Sequence, residues 1–528
     1  MVKRLEGSEK TKKRAWLSYA AVFAAGILTA IPLICEYLFF LPWISLIPLF
    51  LAAERKKSAY RHGLVFSLGY YGTVYYWFTC LYPLDFAGFS NGVSILLIIT
   101  AWVGLSLLQG IGTAFVPFFY RKLYRSDRPL PAPFIAAALW CVMEWFQTQF
   151  WFGVPWARLA VTQYKILPAI QSASLLGSLF TGFLIVTVNG FLALSYKKLR
   201  AEKKPGYCAA VAAGIVAVNF VFGVVRLSVY KENGDTVKAA CIQGNIASGD
   251  KWADDSLENS LRIYVSLTER AVEEEQAELV VWPETVITTY LNLNPYAAGI
   301  ISGLAKEKSI TIAVGAFYTE DGNNYNSVYL FHPDGSVDEN VYCKRHLVPF
   351  GEYLPMPGLI KTVLPFLAEM NMFSDALVPG TSSELFETEH GKIGGLVCFD
   401  SIYETLTLSS VRDGANLMIL STNDSWYRDS AAVYQHNGHA VLRAVESGRC
   451  FVRAANTGIS SVISAKGEIK TYLQPLVDGY VAADVTFSTE RTPYSCVGDL
   501  IVWLSFAFLA VTAVIEIAAK IKASRRKD

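Results

Sequence analysis

Long apolar runs fill the first 226 residues of the chain, and one more lies close to the other end. The first seven are Ala15–Pro32, Ile34–Ala53, Gly63–Tyr82, Val93–Tyr120, Pro131–Phe150, Pro168–Tyr196 and Tyr207–Val225; the eighth is Val497–Ala519. Each approaches the roughly 20 residues a helix needs to cross a hydrocarbon core of about 30 Å. Seven in tandem, joined by short loops, predict a polytopic α-helical membrane domain over residues 1–226 rather than core helices of a large soluble enzyme.

Between the seventh and eighth runs the pattern becomes that of an α/β domain. Short β-rich stretches (237–243, 278–282, 311–317, 392–399, 416–422 and 450–455) interleave with helical patterns over Asp254–Ala277 and around Tyr296–Lys308. Asp334-Gly335 supplies a hairpin turn signal. Strands alternating with helices predict a layered sheet with helices packed on it, one domain over residues 227–493. Residues 494–528 are expected to hold the last membrane helix and a basic cytoplasmic tail.

Composition sharpens this picture. The chain is 53% hydrophobic and 17% charged, against roughly 25% charged in ordinary soluble domains. Disordered and collagen-like chains are excluded. With 46 Lys and Arg against 45 Asp and Glu, so is a nucleic-acid binder driven by bulk charge. The information lies in where the charges sit. Basic residues crowd the N-terminal tail (Lys3, Arg4, Lys10, Lys12, Lys13, Arg14) and the loops after the second run (Arg55, Lys56, Lys57, Arg61), the fourth (Arg121, Lys122, Arg125, Arg128) and the sixth (Lys197, Lys198, Arg200, Lys203, Lys204). The alternate loops are poor in them. Cytoplasmic loops carry the excess of Lys and Arg, so both termini are expected in the cytoplasm and everything from Arg226 to about Pro493 outside it. The first run is long and lacks a clear small-residue cleavage site, and is expected to be retained.

Glu144 interrupts the fifth apolar run. It is either a functional carboxylate at membrane depth or one that reaches the interface, with Trp145, Trp151 and Trp156 as an interfacial aromatic belt. The nine cysteines show no Cys-x-x-Cys pair and no dense framework, which leaves room for one reactive thiol. Six histidines, with only His436 and His439 close together, leave a metal site short of ligands.

Three places in the α/β region join a reactive side chain to a strand end or tight loop. In Trp282-Pro283-Glu284-Thr285 an apolar strand ends in proline and the next side chain is a carboxylate, placed as a general base would be. In the stretch from Cys343 to Glu352, Lys344 can donate a charged hydrogen bond to an oxyanion and Glu352 can hold that ammonium. In Gly394–Asp400 a buried strand ends at Cys398, as a nucleophile emerging at a sheet edge must. Taken singly, these also fit a surface Glu, a solvated basic turn and a packed core thiol. Cys343, next to Lys344, competes with Cys398 for the nucleophile's place.

Glu, Lys and Cys in this order, each after a strand, resemble the catalytic triad of the nitrilase (carbon–nitrogen hydrolase) superfamily. The likeness narrows with Gln243–Ile246 followed by Lys251-Trp252, with Asn423–Tyr427, the stretch around His436 and Arg453–Ile463, and with Glu144-Trp145 through Gly153, Pro155 and Trp156. Together with the membrane runs, these are similar to the apolipoprotein N-acyltransferase family over essentially the whole chain. After the cysteine the chain reads Phe399-Asp400, where that family typically has Tyr and Glu.

The resemblance implies an α-β-β-α sandwich with Glu284 as general base, Lys344 as oxyanion stabiliser and Cys398 as nucleophile, supported by Glu352, Trp252 and Phe399, without metal or cofactor. It further implies a monomeric enzyme of the bacterial inner membrane. Its acyl donor is a phospholipid, and its acceptor the N-terminal diacylglyceryl cysteine of an apolipoprotein. The apolar stretch Tyr353–Phe373 is the expected lid and Trp252 an expected acyl-chain contact. The alternative is a membrane-tethered amidase or nitrilase that uses the same triad and passes the acyl group to water.

Overall fold

A computed structural model describes residues 2–54, 58–84, 88–149, 153–202, 206–247, 249, 251, 256–358, 362 and 377–525. The chain divides into two compact units: Met1–Gln149, Gly153–Ser228 and Asp499–Asp528 form one, Phe150–Phe152 and Val229–Gly498 the other.

The first unit is helical. Among the described residues, five of its helices are long and apolar enough to cross a membrane: Ala15–Leu33, Asn91–Leu123, Ser178–Ala201, Gly206–Val229 and Leu500–Ser524. The second, third and fifth apolar runs depart from the expectation of full-length spans. The second breaks into Pro42–Ser45 and Ile47–Ala53, the third gives Ala59–Val74 followed by a 3-10 turn over Tyr76–Leu81, and the fifth gives only Ala132–Phe146. In the second run prolines are the cause. Pro42 and Pro48 lack the N–H that would continue a helix, so each sits in the first turn of a new one. Buried Asn189 repairs that break: its amide accepts from the Leu46 N–H at 2.9 Å and donates to the Pro42 carbonyl at 2.8 Å. Helices Val2–Ala30 and Ala59–Val74 approach closely through glycine. A Cβ on Gly26 would lie 2.2 Å from the Phe66 carbonyl oxygen, and one on Gly69 2.3 Å from that of Phe23. Glu144 is 1% exposed within its unit and accepts the Leu159 N–H at 2.8 Å, so it braces a bend of the chain rather than reaching the unit's surface. Trp156 is buried as well, and Trp151 lies outside the described residues.

The second unit contains two sheets. Strands β1 (Thr236–Gln243), β2 (Leu279–Val281), β3 (Ile287–Tyr290), β4 (Thr311–Glu320), β5 (Asn323–Phe331) and β6 (Tyr342–Cys343) belong to the first. Strands β7 (Leu385–Thr388), β8 (Gly391–Val397), β9 (Leu417–Thr422), β10 (Phe451–Ala455), β11 (Ser461–Ile463) and β12 (Ile469–Tyr472) form the second in the order β12-β11-β10-β9-β8-β7, while β13 (Gly479–Thr486) returns to the first, ordered β13-β1-β2-β4-β5-β6 with β3 also on β4. Alternation along β1 fixes the layers. Val237, Ala239 and Cys241 meet Ile393, Leu417, Ile419 and Val452 of the other sheet, whereas Ala240 and Ile242 pack with Leu261, Tyr264 and Ile301 of helices Ser256–Glu275 and Pro295–Lys308. Helices Glu404–Asp413 and Ala431–Ser447 accompany the second sheet, which completes an α-β-β-α sandwich. Trp282, fully buried with its indole N–H on Thr268 at 2.9 Å, anchors the helix-side core; truncating such a residue to alanine costs about 3–5 kcal/mol.

Candidate active site

The end of β2 places Glu284. Strands β2 and β3 pair in parallel with successive parts of β4, and Pro283-Glu284-Thr285 fills the interruption between them. Pro283 cannot extend the ladder, and Thr285 takes a positive φ of 46°, unusual for a β-branched residue. Glu284 is thereby turned out of register into a buried pocket, 6% exposed. Its Oε1 accepts from Lys344 Nζ at 3.1 Å and from the Asn326 amide at 2.7 Å; its Oε2 accepts the Asn423 N–H at 2.8 Å.

Lys344 follows β6 and is 1% exposed. Its backbone is pinned on both sides, donating to the Asn326 carbonyl and accepting from the Gly380 N–H, each at 2.8 Å. Its ammonium is shared between Glu284 and Glu352, the latter at 2.9 Å. Glu352 also accepts from Asn326 at 3.0 Å and from the Val348 N–H at 2.8 Å, which holds the following loop against the pair. Burial alone would lower the pKa of Lys344. Glu284, Glu352 and Cys398 together outweigh it and hold the ammonium well above its ordinary value.

Cys398 directly follows β8 and opens a 3-10 turn over Cys398–Ile402 with a φ of 49°. Burial raises its thiol pKa, as does the Glu284 carboxylate, while Lys344 and a hydrogen bond with Thr422 pull the other way. The group is therefore a thiol at rest. The competing Cys343 lies 3.5 Å from the Ser327 hydroxyl, and burial pushes its pKa up to about 11. The structure thus brings Glu284, Lys344, Glu352 and Cys398 into one electrostatic cluster.

Phe399 is buried and packs edge-on against Tyr403 at 5.5 Å. Despite being one methylene shorter than Glu, Asp400 reaches four donors: the N–H groups of Arg345 (3.2 Å), His346 (2.8 Å) and Val397 (3.1 Å) and the Tyr342 hydroxyl (2.9 Å). It ties the turn carrying Cys398 to the segment carrying Lys344. Trp252 and most of the expected lid (359–361 and 363–373) lie outside the described residues.

Several residues of the cluster had no assigned role in the sequence reading. Asn326, in the middle of β5, carries no sequence signal that marks it. Lys251, 3% exposed, donates to the Glu284 carbonyl at 3.0 Å and to the Thr285 hydroxyl at 2.6 Å, and burial lowers its pKa to about 8. Behind the cysteine, Asp424 meets His436 Nδ1 at 2.9 Å and Arg453 at 2.7 Å. Burial opposes its ionisation, but His436 and Arg453 prevail and keep its pKa well below the usual carboxylate range. Cys398, Asp424 and His436 bring ligand atoms within 4.8 Å of one another, yet the Arg453 guanidinium already occupies the cation's place, 3.1 Å from His436 Nδ1. This donor set does not suit a metal.

An α-β-β-α sandwich that gathers a buried Glu, Lys and Cys from three strand ends defines the class, and the carbon–nitrogen hydrolase family model matches residues 238–493. A model of the apolipoprotein N-acyltransferase N-terminal domain matches residues 11–191. The apolipoprotein N-acyltransferase of Geobacter metallireducens is 32% identical over 521 residues, covering 95% of this chain and 96% of its own length. That of Gloeobacter violaceus is 30% identical over 494 residues, 92% and 91% of the two chains. Among solved structures, a Saccharomyces cerevisiae member of branch 10 of the nitrilase superfamily aligns with a TM-score of 0.38 at 20% identity, covering 48% of this chain and 91% of that one. The chain belongs to the apolipoprotein N-acyltransferase family and is an acyltransferase.

Proposed function

We propose that this membrane enzyme moves the sn-1 acyl chain of a phospholipid onto the free α-amine of the S-diacylglyceryl cysteine that begins an apolipoprotein, through a thioester on Cys398. The observation that carries the reading is the sharing of the buried Lys344 between Glu284 and Glu352, beside a cysteine held at the end of β8. Glu284 takes the thiol proton as sulfur attacks the ester carbonyl. Lys344 and main-chain N–H groups stabilise the tetrahedral oxyanion. When the ester C–O bond breaks, the lysophospholipid oxygen leaves with the proton from Glu284, and the acyl group remains on sulfur. In the second half the acceptor amine attacks the thioester and gives a proton to Glu284. The C–S bond then breaks, and the thiol recovers that proton as the amide forms.

Glu352 serves this chemistry by holding the Lys344 ammonium, and Phe399 by packing the turn behind the nucleophile. Trp252 and the stretch Tyr353–Phe373 are proposed to meet the acyl chain and shield the thioester from water. The placement of basic loops supports the cytoplasmic membrane with the catalytic unit on its outer face and both termini inside; the enzyme is proposed to act as a monomer. No cofactor, metal or nucleic acid enters the scheme.

Intact-mass analysis of the purified protein incubated with phospholipid alone tests it. The expected result is a hydroxylamine-labile gain of one acyl chain that is absent in Cys398→Ala and discharged by a diacylglyceryl peptide amine. An adduct that persists in the alanine variant removes Cys398 from the mechanism. Discharge to water alone, without N-acylated peptide, favours an amidase or nitrilase activity.

A further inference from the structure

The carbonyl of Cys398 is gripped from inside the protein. Ser401 donates its hydroxyl to that oxygen at 2.8 Å, and His436 Nε2 lies 3.1 Å from the same oxygen and 3.0 Å from Ser401 Oγ. A carbonyl only accepts, so Nε2 carries a proton and donates. The ring is fixed at its other end, where Nδ1 lies 2.9 Å from Asp424 Oδ1 and 3.1 Å from Arg453 Nη2, while Arg453 also bonds Asp424 Oδ2 at 2.7 Å. All four side chains are buried, at 0–1% exposure. Asp424 packs closely on Gly458, where a Cβ would come within 2.3 Å of its Oδ2. The arrangement spans four elements, the turn after β8, the turn after β9, helix Ala431–Ser447 and β10, and it ends on the one residue of the turn after β8 in the left-handed region.

A trans peptide is planar, with its C=O and N–H pointing in opposite directions. Drawing the Cys398 carbonyl toward His436 and Ser401 therefore aims the Phe399 N–H the other way, and also keeps the cysteine at its strained φ of 49°. We infer that His436, held by Asp424 and Arg453 and assisted by Ser401, is a positioning residue for acyl-enzyme formation: it sets the peptide plane after Cys398, and so aims both the nucleophile and the Phe399 N–H, which becomes a donor to the oxyanion. This rests on Cys398 being the nucleophile. His436 touches neither acyl group nor amine in the scheme; it acts through the main chain.

The test measures the rate of acyl-enzyme formation by intact mass, in full-length His436→Ala, His436→Gln and Ser401→Ala, each normalised to the amount of protein that is folded. His436→Ala is expected to slow the step about 100-fold or more, with the phospholipid concentration for half-maximal rate within about twofold of wild type, because donors aimed at an oxyanion act on kcat rather than on binding. His436→Gln, whose amide N–H can still donate to the carbonyl, is expected to recover at least tenfold of that loss. Ser401→Ala, the mildest change, is expected to lose about 5- to 20-fold and so covers the case in which the histidine variants fail to fold. A wild-type rate in Ser401→Ala or His436→Ala overturns the inference, as do equal losses in His436→Ala and His436→Gln or a loss confined to half-saturation. An adduct in a parallel Cys398→Ala sample would bring down the nucleophile assignment and this inference together. An inert Cys398→Ala beside a full-rate His436→Ala brings down this inference alone.

Discussion

Lys344→Met keeps the side chain's length and removes the one positive charge that Glu284 and Glu352 share. The ammonium is 1% exposed, with carboxylate oxygens at 3.1 and 2.9 Å. Removing one partner of a buried ion pair costs about 3–5 kcal/mol, because the other charge is left uncompensated. Here two carboxylates lose their shared counter-ion and keep only neutral donors, the Asn326 amide between them and the Asn423 and Val348 N–H groups on their far oxygens, so the upper end applies. At about 2–4 °C per kcal/mol for a domain of this size, the apparent melting temperature falls by about 10–20 °C. The pH dependence follows from the raised pKa of Lys344. A base whose folded pKa lies above its unfolded value of about 10.4 contributes stability that is complete below that value and lost only as pH rises through the folded one. In wild type this contribution is therefore flat between about pH 5 and 9. In the variant that contribution is missing throughout the range. Acyl-enzyme formation slows by about 10³-fold, the upper range for loss of one oxyanion donor, because the general base is misplaced as well. Tryptophan-fluorescence melting across pH, with intact-mass kinetics on the folded fraction, measures both. A melting temperature within about 3 °C of wild type would refute the reasoning that Lys344 balances this site.

Lys251, with its pKa lowered to about 8 by burial, should give wild-type acyl-enzyme formation an alkaline limb near pH 8. Lys251→Arg, permanently charged, should move that limb upward, and an unmoved limb would exclude Lys251 as its source. In stability the sign is opposite to that of Lys344: between about pH 8 and 10.4 the unfolded chain holds more proton, so this group's contribution rises with pH, and melting of the arginine variant should lack that rise. Asp400→Ala leaves three main-chain N–H groups and the Tyr342 hydroxyl without their acceptor. At about 1–3 kcal/mol for each buried donor left unsatisfied, the variant should melt on the order of 10 °C lower; a melt within about 2 °C would show that water or a neighbour replaces the carboxylate.

Glu284, Lys344 and Cys398 were legible because each ends a recognisable strand, and a carboxylate or thiol at a strand end after Pro283 or Val397 leaves the sheet's alternation. Helices Ser256–Glu275 and Pro295–Lys308 and strands β1, β2, β4, β8, β9 and β10 followed from hydrophobic period, whereas helices Glu404–Asp413 and Ala431–Ser447 and strand β13 did not. What stayed hidden was reciprocity. That Asn326 bridges both carboxylates, or that the Asn423 N–H meets Glu284, depends on the register of β5 and on the turn after β9, and joins Glu284 to residues 42 and 139 positions away in sequence. Lys251, Asp424 and His436 stood in segments already noticed, but nothing in their spacing told that their charges and protons point inward. In the membrane unit, hydropathy located the apolar segments but not where helix stops. A run of apolar residues broken by Pro42 and Pro48 is as hydrophobic as an unbroken one, and the asparagine that repairs it lies more than a hundred residues away.

Under the proposed mechanism, charge balance accounts for acyl transfer between two lipid-bound partners in a desolvated pocket. At rest, Lys344 and Lys251 face Glu284 and Glu352, so these four groups sum to zero around a neutral thiol. A standing thiolate would add an unpaired negative charge, which burial and Glu284 both resist; it would also be open to oxidation while the enzyme waits for substrate. When Glu284 accepts the thiol proton during attack, the four groups become net positive by one, at the moment the ester carbonyl becomes an oxyanion carrying one negative charge. No step requires the buried pocket to hold an uncompensated charge, which in a low-dielectric interior is the costliest state available. The same balance holds in the second half, where Glu284 again turns positive-going as the amine's attack on the thioester produces the oxyanion. Water could satisfy that balance as well as an amine does. Selection between them, in this scheme, therefore falls to exclusion of water and placement of the acceptor rather than to the triad.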